Sequence, residues 1–208
     1  MTRFILGLSL LVITTFSAAN AQTKARRHDF QVSDGKIDKA PGDRLIVTSK
    51  EMRATLKKEG PSQKVTVNFT YLGPTVEVAH LGSGEIRHQF GIKLKAQDTC
   101  NLVYVMWNFD TQKIAVSVKS NPGQRTHEEC LDRGYIGVKP RVSAPPPVVD
   151  IDQAHTLSAD LEEQELTVKA DDTIVWQGTL IPVVLELKGP VGLRSDNACV
   201  VFDFLAGE

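Results

Sequence analysis

HTLSADLEEQELTVKADDTIVWQGTL, residues 155–180, and GPVGLRSDNACVVFDFL, residues 189–205, decide the fold. The first stretch reads as consecutive antiparallel strands. Leu166 and Val168 lie two apart, so their side chains leave the same side of a pleated strand. Asp171-Asp172 supplies the turn that reverses the chain, and Ile174 and Trp176 carry the pattern on. In the second stretch Val200, Phe202 and Phe204 share one face, while Cys199 and Asp203 take the other. A period of two over this length is a strand signal, not a helix signal.

Working outward, the same pattern fills most of the chain. Alternating or apolar runs occur at 44–49, 64–72, 75–79, 85–96, 101–109, 113–119 and 183–187. Gly73-Pro74, the 82–84 Gly-Ser-Gly, Asp110-Thr111-Gln112, Asn121-Pro122-Gly123 and Gly189-Pro190 punctuate them. This predicts an all-β protein. The segment 49–61 (SKEMRATLKKEGP) reads either as a short helix with a Ser cap and a Gly-Pro stop or as a strand. Its neighbours favour the strand. Residues 22–28 are polar and expected to be loose. The triple proline at 145–147 is expected to stiffen a connection inside one domain, the alternative being a linker between two. There is no internal repeat.

The N-terminus, MTRFILGLSLLVITTFSAANA, has a basic start at Arg3, an apolar stretch too short to span a bilayer, and a small-x-small cleavage pattern at Ala19-Asn20-Ala21. It reads as a signal peptide over 1–21, leaving 22–208 as a single domain. A secreted or periplasmic location follows. No second apolar stretch reaches spanning length, so no membrane span is expected after cleavage. The 24 Lys and Arg against 25 Asp and Glu, without a long basic run, argue against nucleic acid as a partner.

The strand, Asp-turn, strand hairpin at 165–177, followed by Gly-Pro-Val-Gly-Leu-Arg at 189–194, resembles the closing strands of concanavalin A-like lectin/glucanase jelly rolls. The likeness is nearest to laminin-G-like and 3-keto-disaccharide-hydrolase-like domains. It covers roughly the last 55 residues. It implies a two-sheet antiparallel β-sandwich with glycans bound or cleaved on the concave sheet. Fold alone does not give function.

Alternation suggests where that face lies. Phe90, Ile92 and Leu94, then Val103, Val105, Trp107 and Phe109, then Ile114, Val116 and Val118 form the core side. The opposite side collects Arg87, Gln89, Lys93, Lys95, Tyr104, Asn108 and Lys119. Cations and amides bind carboxylates and hydroxyls, and tyrosine offers a ring with a polar tip. The candidate binding residues are therefore Arg87, Gln89, Lys93, Tyr104, Asn108 and Lys119, on a face that suits an acidic polysaccharide. Outward lysines that merely solvate a sheet are the plainer alternative. Leu102, Tyr104 and Met106 make this strand apolar on its second face too, which argues for a site or for a covering loop.

An enzymatic version rests on SGEIRHQFGIK (83–93), which resembles strands of jelly-roll alginate lyases. Arg87, His88, Gln89 and Tyr104 would be the catalytic candidates. His88 and Gln89 are adjacent, however, and point to opposite faces. A glycoside hydrolase needs two facing carboxylates. Glu77, Glu85 and Glu186 are available, without a characteristic acidic strand.

RTHEEC (125–130) crowds His127, Glu128, Glu129 and Cys130 together. A metal site lacks a second histidine at ligand spacing. A hairpin of 101–109 with 113–119 brings the region near Asn121 opposite Cys100, and the loop that follows can return Cys130 to it. A Cys100–Cys130 disulfide is expected, with Cys199 left over. No cofactor is expected. A structural calcium is compatible with this fold, with Asp196 and Asn197 supplying oxygens, and an Asx turn explains both residues more simply. These readings predict an exported carbohydrate-binding, lectin-like module. The alternatives are a polysaccharide lyase or glycoside hydrolase on the same face, and an envelope protein-interaction module without a sugar site.

Overall fold

Val200, Phe202 and Phe204 all turn inward with no exposure, and the sandwich is built around that alternation. The computed structural model describes residues 22–60 and 63–207. The leader expected at 1–21 lies outside them. In chain order the strands are β1 (Gln22–Lys24), β2 (Phe30–Asp34), β3 (Asp38–Ala40), β4 (Arg44–Val47), β5 (Glu51–Leu56) and β6 (Lys64–Pro74). Then come β7 (Gln89–Leu94), β8 (Leu102–Asn108), β9 (Lys113–Lys119), β10 (Tyr135–Gly137) and β11 (Val142–Ser143). β12 (Ala154–Glu162), β13 (Glu165–Ala170), β14 (Thr173–Thr179), β15 (Gly192–Asp196) and β16 (Ala198–Gly207) complete the set. A single helical turn, α1 (His127–Cys130), stands between β9 and β10.

The larger sheet runs β11-β14-β13-β12-β6-β16-β4-β3, with β1 pairing the end of β16. The smaller runs β10-β9-β8-β7-β15-β5-β2. Every pairing is antiparallel. The two inner faces meet through aromatic rings. Phe69 of β6 packs edge-on against Trp107 of β8 at 5.6 Å and tilted against Phe90 of β7 at 5.4 Å. Aromatic pairs in such offset geometries stabilise a core beyond the area they bury. The sheets end in short strands: β11 with two residues, β3 and β10 with three. β2, the remaining edge, carries a register break between Val32 and Asp34.

The structure corrects several sequence expectations. Residues 22–28 are not loose: Gln22–Lys24 pairs with β16, and Ala25 is buried. The run at 75–79 is not a strand. Pro74 ends β6, and Val76 is fully exposed. The run at 183–187 is mostly a 3-10 turn, Pro182–Leu185, which its leading proline pre-sets. Ile174 points outward because a bulge falls opposite Val168/Lys169, so Val175 and Trp176 are buried in succession. The segment 49–61 takes its strand form as β5. The Asp171-Asp172 turn forms as read, with both residues at positive φ, 47° and 64°.

Cys100 and Cys130 are joined. The bridge ties α1 to the start of β8 and closes a span of 30 residues. Loop-closure entropy of that length corresponds to about 3–4 kcal/mol. Replacing both cysteines with serine should lower the melting temperature by roughly 6–16 °C, read by calorimetry under non-reducing conditions.

Candidate functional site

Across the outer face of the smaller sheet, adjacent strands each deliver one or two polar side chains to a common floor. Tyr135 comes from β10, Lys119 from β9, Tyr104 from β8, Lys93 and Gln89 from β7, Arg194 and Asp196 from β15, and Arg53 from β5. Alternation explains the placement: Met52 and Ala54 flank Arg53 and go to the core, as does Leu193 beside Arg194.

At the centre lies Asp196, 1% exposed. Its carboxylate accepts from Arg194 Nε at 2.8 Å and Gln89 Nε2 at 2.6 Å, and pairs with Arg53 Nη2 at 2.7 Å. Arg194 and Arg53 stand directly opposite each other on β15 and β5. Like charges in that register repel, and Asp196 between them offsets the repulsion. Burial alone would raise the Asp196 carboxyl, but the two guanidiniums outweigh it and hold it below its ordinary value. Burial would likewise lower Arg194, and Asp196 keeps it above its ordinary value.

Tyr104 lies beside this cluster with 5% exposure. Its ring stacks on Tyr135 at 5.9 Å, and the Arg194 guanidinium sits 5.0 Å from its centroid. Burial pushes the phenol up to about 12, so it remains a hydrogen-bond donor. Arg194 Nη1 donates to the Tyr135 hydroxyl at 3.4 Å. Lys119 donates to the carbonyls of Leu131 at 2.7 Å and Thr99 at 3.2 Å, and its ammonium lies 5.1 Å from the Tyr135 ring centroid.

Lys93 is different. It is 3% exposed and has no hydrogen bond or ion pair among the described residues. Burial, then Arg53, Arg194 and Lys119, depress its ammonium to about 7. Lys93 pairs across the strands with Tyr104 and lines a groove of about 480 Å³, a size typical of small-molecule sites.

Two loops wall this groove. The loop 75–88 contributes His80, Leu81 and Gly82, and the loop 120–134 contributes His127, Glu128 and Asp132. Asn197 clamps the first: its side-chain amide donates to the carbonyls of Ala79 and Arg87, and its oxygen accepts from the Ala79 amide at 2.7 Å. The disulfide holds the second. Asn121 adds to it, donating to the carbonyls of Cys100 and Arg133. The loops meet where Gly82 packs on Asp132, so closely that a Cβ on Gly82 would fall 2.1 Å from Asp132 Oδ2.

Of the residues expected from sequence, Lys93, Tyr104 and Lys119 line the groove. Gln89 lies beneath it, bracing Asp196. Asn108 is elsewhere, with its side-chain oxygen accepting from the Thr111 amide in the β8–β9 turn. Arg87 precedes β7 and pairs with Glu85, because the strand starts at Gln89 and not at Glu85. Lys95 follows β7 at positive φ and leaves the face. His88 binds Asp110, so the residues of the lyase reading do not converge. Glu77 pairs with Lys50, and Glu85 with Arg87, away from the groove. In RTHEEC, Glu129 closes a capping box over Arg125 and Thr126. Asp196 and Asn197, the pair considered for calcium, are engaged by guanidiniums and backbone amides. Sequence reasoning missed Arg53, Arg194 and Tyr135, and read Asp196 as a turn residue. Arg53 and Arg194 sit at outward positions of alternating strands and were open to detection. Tyr135 opens β10, a strand of three residues too short to give such a signal.

No family model matches the chain, and no curated protein matches it. Solved structures do. A carbohydrate-binding module, CBM66 of Bacillus subtilis, superposes with a TM-score of 0.56 at 12% identity, over 84% of this chain and 91% of its own. A Bacillus subtilis protein of unknown function with a galectin-like fold gives 0.57 at 8% identity, over 89% and 97%. The Crh5 transglycosylase gives 0.51 at 14%, over 91% and 85%. The chain has the concanavalin A-like fold. At these identities the likeness concerns architecture. Within that jelly roll, the groove described above lies on the outer face of the smaller sheet.

The displaced Lys93 titration has a signed consequence. The unfolded chain holds this proton up to its ordinary value of 10.5, and the folded chain releases it near 7. Between those values the unfolded state binds more protons, so stability rises with pH. The Lys119 ammonium, also lowered by burial, adds in the same direction. Melting temperatures measured from pH 6 to 9.5 should climb. Lys93→Met should melt higher than the parent at pH 6 and show a flatter climb.

Proposed function

We propose that this chain is an exported carbohydrate-binding module and that the groove over Lys93, Tyr104 and Tyr135 takes an acidic glycan. One observation carries the reading: Lys93, buried and without a partner, faces a groove beside an aromatic pair. A buried ammonium costs free energy unless it is paired. A ligand carboxylate supplies the missing counter-charge, and charge-assisted bonds of this kind are the strong ones. The half-exposed Tyr135 ring offers an apolar surface to a sugar face.

The neighbours in fold support the reading, since one is itself named a carbohydrate-binding module. Export is supported by the leader-like residues 1–21 and by the Cys100–Cys130 bridge, which persists in oxidising compartments. Among the described residues no helix is long and apolar enough to cross a membrane.

The test is a thermal-shift screen of the protein against neutral and uronate-containing oligosaccharides. Saturation at a hundred times the dissociation constant adds about 2.7 kcal/mol, a shift of roughly 5–11 °C for a chain of this size. Uronate ligands should stabilise, and Lys93→Met and Tyr135→Ala should each remove the shift. Affinity should fall as pH rises through 7, because the ammonium loses its charge there. Stabilisation by no glycan of either kind would sink the reading. Release of unsaturated or reducing-end product during the screen would make the site an enzyme's.

A further inference from the structure

The charges around the groove are sorted by depth. At the floor lie Lys93, Lys119, Arg194 and Arg53, and the carboxylates among them are already engaged: Asp196 by both arginines and Glu51 by Arg53. At the exposed mouth stand Asp34, Glu128 and Asp132. Hydrogen bonds from the α1 backbone and from Thr126 hold the Glu128 carboxyl below its ordinary value, so it is ionised at neutral pH. The way in is therefore acidic and the bottom cationic.

A polymer with a carboxylate on every sugar fits this arrangement poorly. Its first carboxylate would gain the lysine, and those that follow would lie against aspartate and glutamate. The shape adds to the electrostatics. The two loops touch across the sheet at Gly82 and Asp132, and the floor residues Lys93, Tyr104 and Lys119 are each no more than 5% exposed. A chain lying lengthwise needs a trough open at both ends and an accessible floor. Here the floor is barely exposed, and the loop contact at Gly82 and Asp132 bounds the groove.

We infer that the ligand is a glycan end carrying a single carboxylate, an acidic sugar at the terminus of an otherwise uncharged chain, seated end-on with its carboxylate at Lys93. The inference rests on the reading of this groove as a glycan site and narrows it. Tyr135, at the edge of the floor and half exposed, is placed to cover the ring of that terminal sugar. The uncharged remainder of the chain passes the acidic mouth without repulsion.

Calorimetric titration tests this with four probes: glucuronic acid, glucose, a neutral oligosaccharide capped by one terminal glucuronate, and oligouronates of increasing length. The capped oligosaccharide should bind with one molecule per protein, at least about tenfold more tightly than its uncapped counterpart, as a charged hydrogen bond to Lys93 requires. Free glucuronic acid should bind where glucose does not. Oligouronate affinity per chain should not increase with length. Lys93→Met should erase the difference between capped and uncapped chains. The exposed pair Glu128→Gln and Asp132→Asn, far from the sheet core, should strengthen oligouronate binding, more so at low salt.

Affinity that grows with oligouronate length, with several proteins per chain, would overturn the end-on reading while leaving an acidic-glycan site intact. Equal binding of capped and uncapped chains would remove the carboxylate at Lys93 and leave a neutral-glycan site. Binding of none of the four would overturn this inference together with the function on which it rests.

Discussion

A carboxylate buried between two guanidiniums organises the smaller sheet. Asp196 closes β15 and joins three neighbouring strands at once, through Arg53 on β5, Arg194 on its own strand and Gln89 on β7. Replacing a buried pair of this kind with apolar residues is often neutral for stability, whereas removing one partner is costly. Its presence is therefore better explained by what it positions than by stability. The cluster fixes Arg194 over the Tyr104 ring and against the Tyr135 hydroxyl, and so sets the shape of the groove floor. One residue further on, Asn197 clamps the loop 75–88. The turn between β15 and β16 thus positions both the floor and one wall.

The amine left out of this network is the informative one. Every other cation on the floor has a protein partner: Arg53 and Arg194 share Asp196, and Lys119 donates to two carbonyls. Lys93 stands among them with none. Its depressed ammonium, the groove that it lines and its cross-strand partner Tyr104 are what the proposed glycan site rests on.

Much of the architecture was legible in alternation alone. Phe90, Ile92, Leu94, Val103, Val105 and Trp107 face inward as the period of two requires, because one face of each strand must meet the other sheet. The disulfide followed from hairpin geometry. The site was legible in part. Lys93, Tyr104 and Lys119 came from the same alternation, which also showed that β8 is apolar on both faces. Arg87 and Lys95 were misplaced because β7 is shorter than its apolar pattern, and alternation fails the moment a strand ends. Asp196 read as a turn residue, since only the sheet order brings β5 and β7 to either side of it. The loop contact of Gly82 with Asp132 and the docking of the short β10 that carries Tyr135 are long-range events that no local pattern encodes.

The sheets finish in strands of two and three residues, or in one interrupted by a bulge. Unpaired backbone at a sheet edge is where another chain adds itself, and edges this short or distorted offer it little. A sandwich made almost wholly of strands would otherwise be prone to growing sideways into fibres. Its brief margins leave far less unpaired backbone for such growth than a longer, flatter edge would.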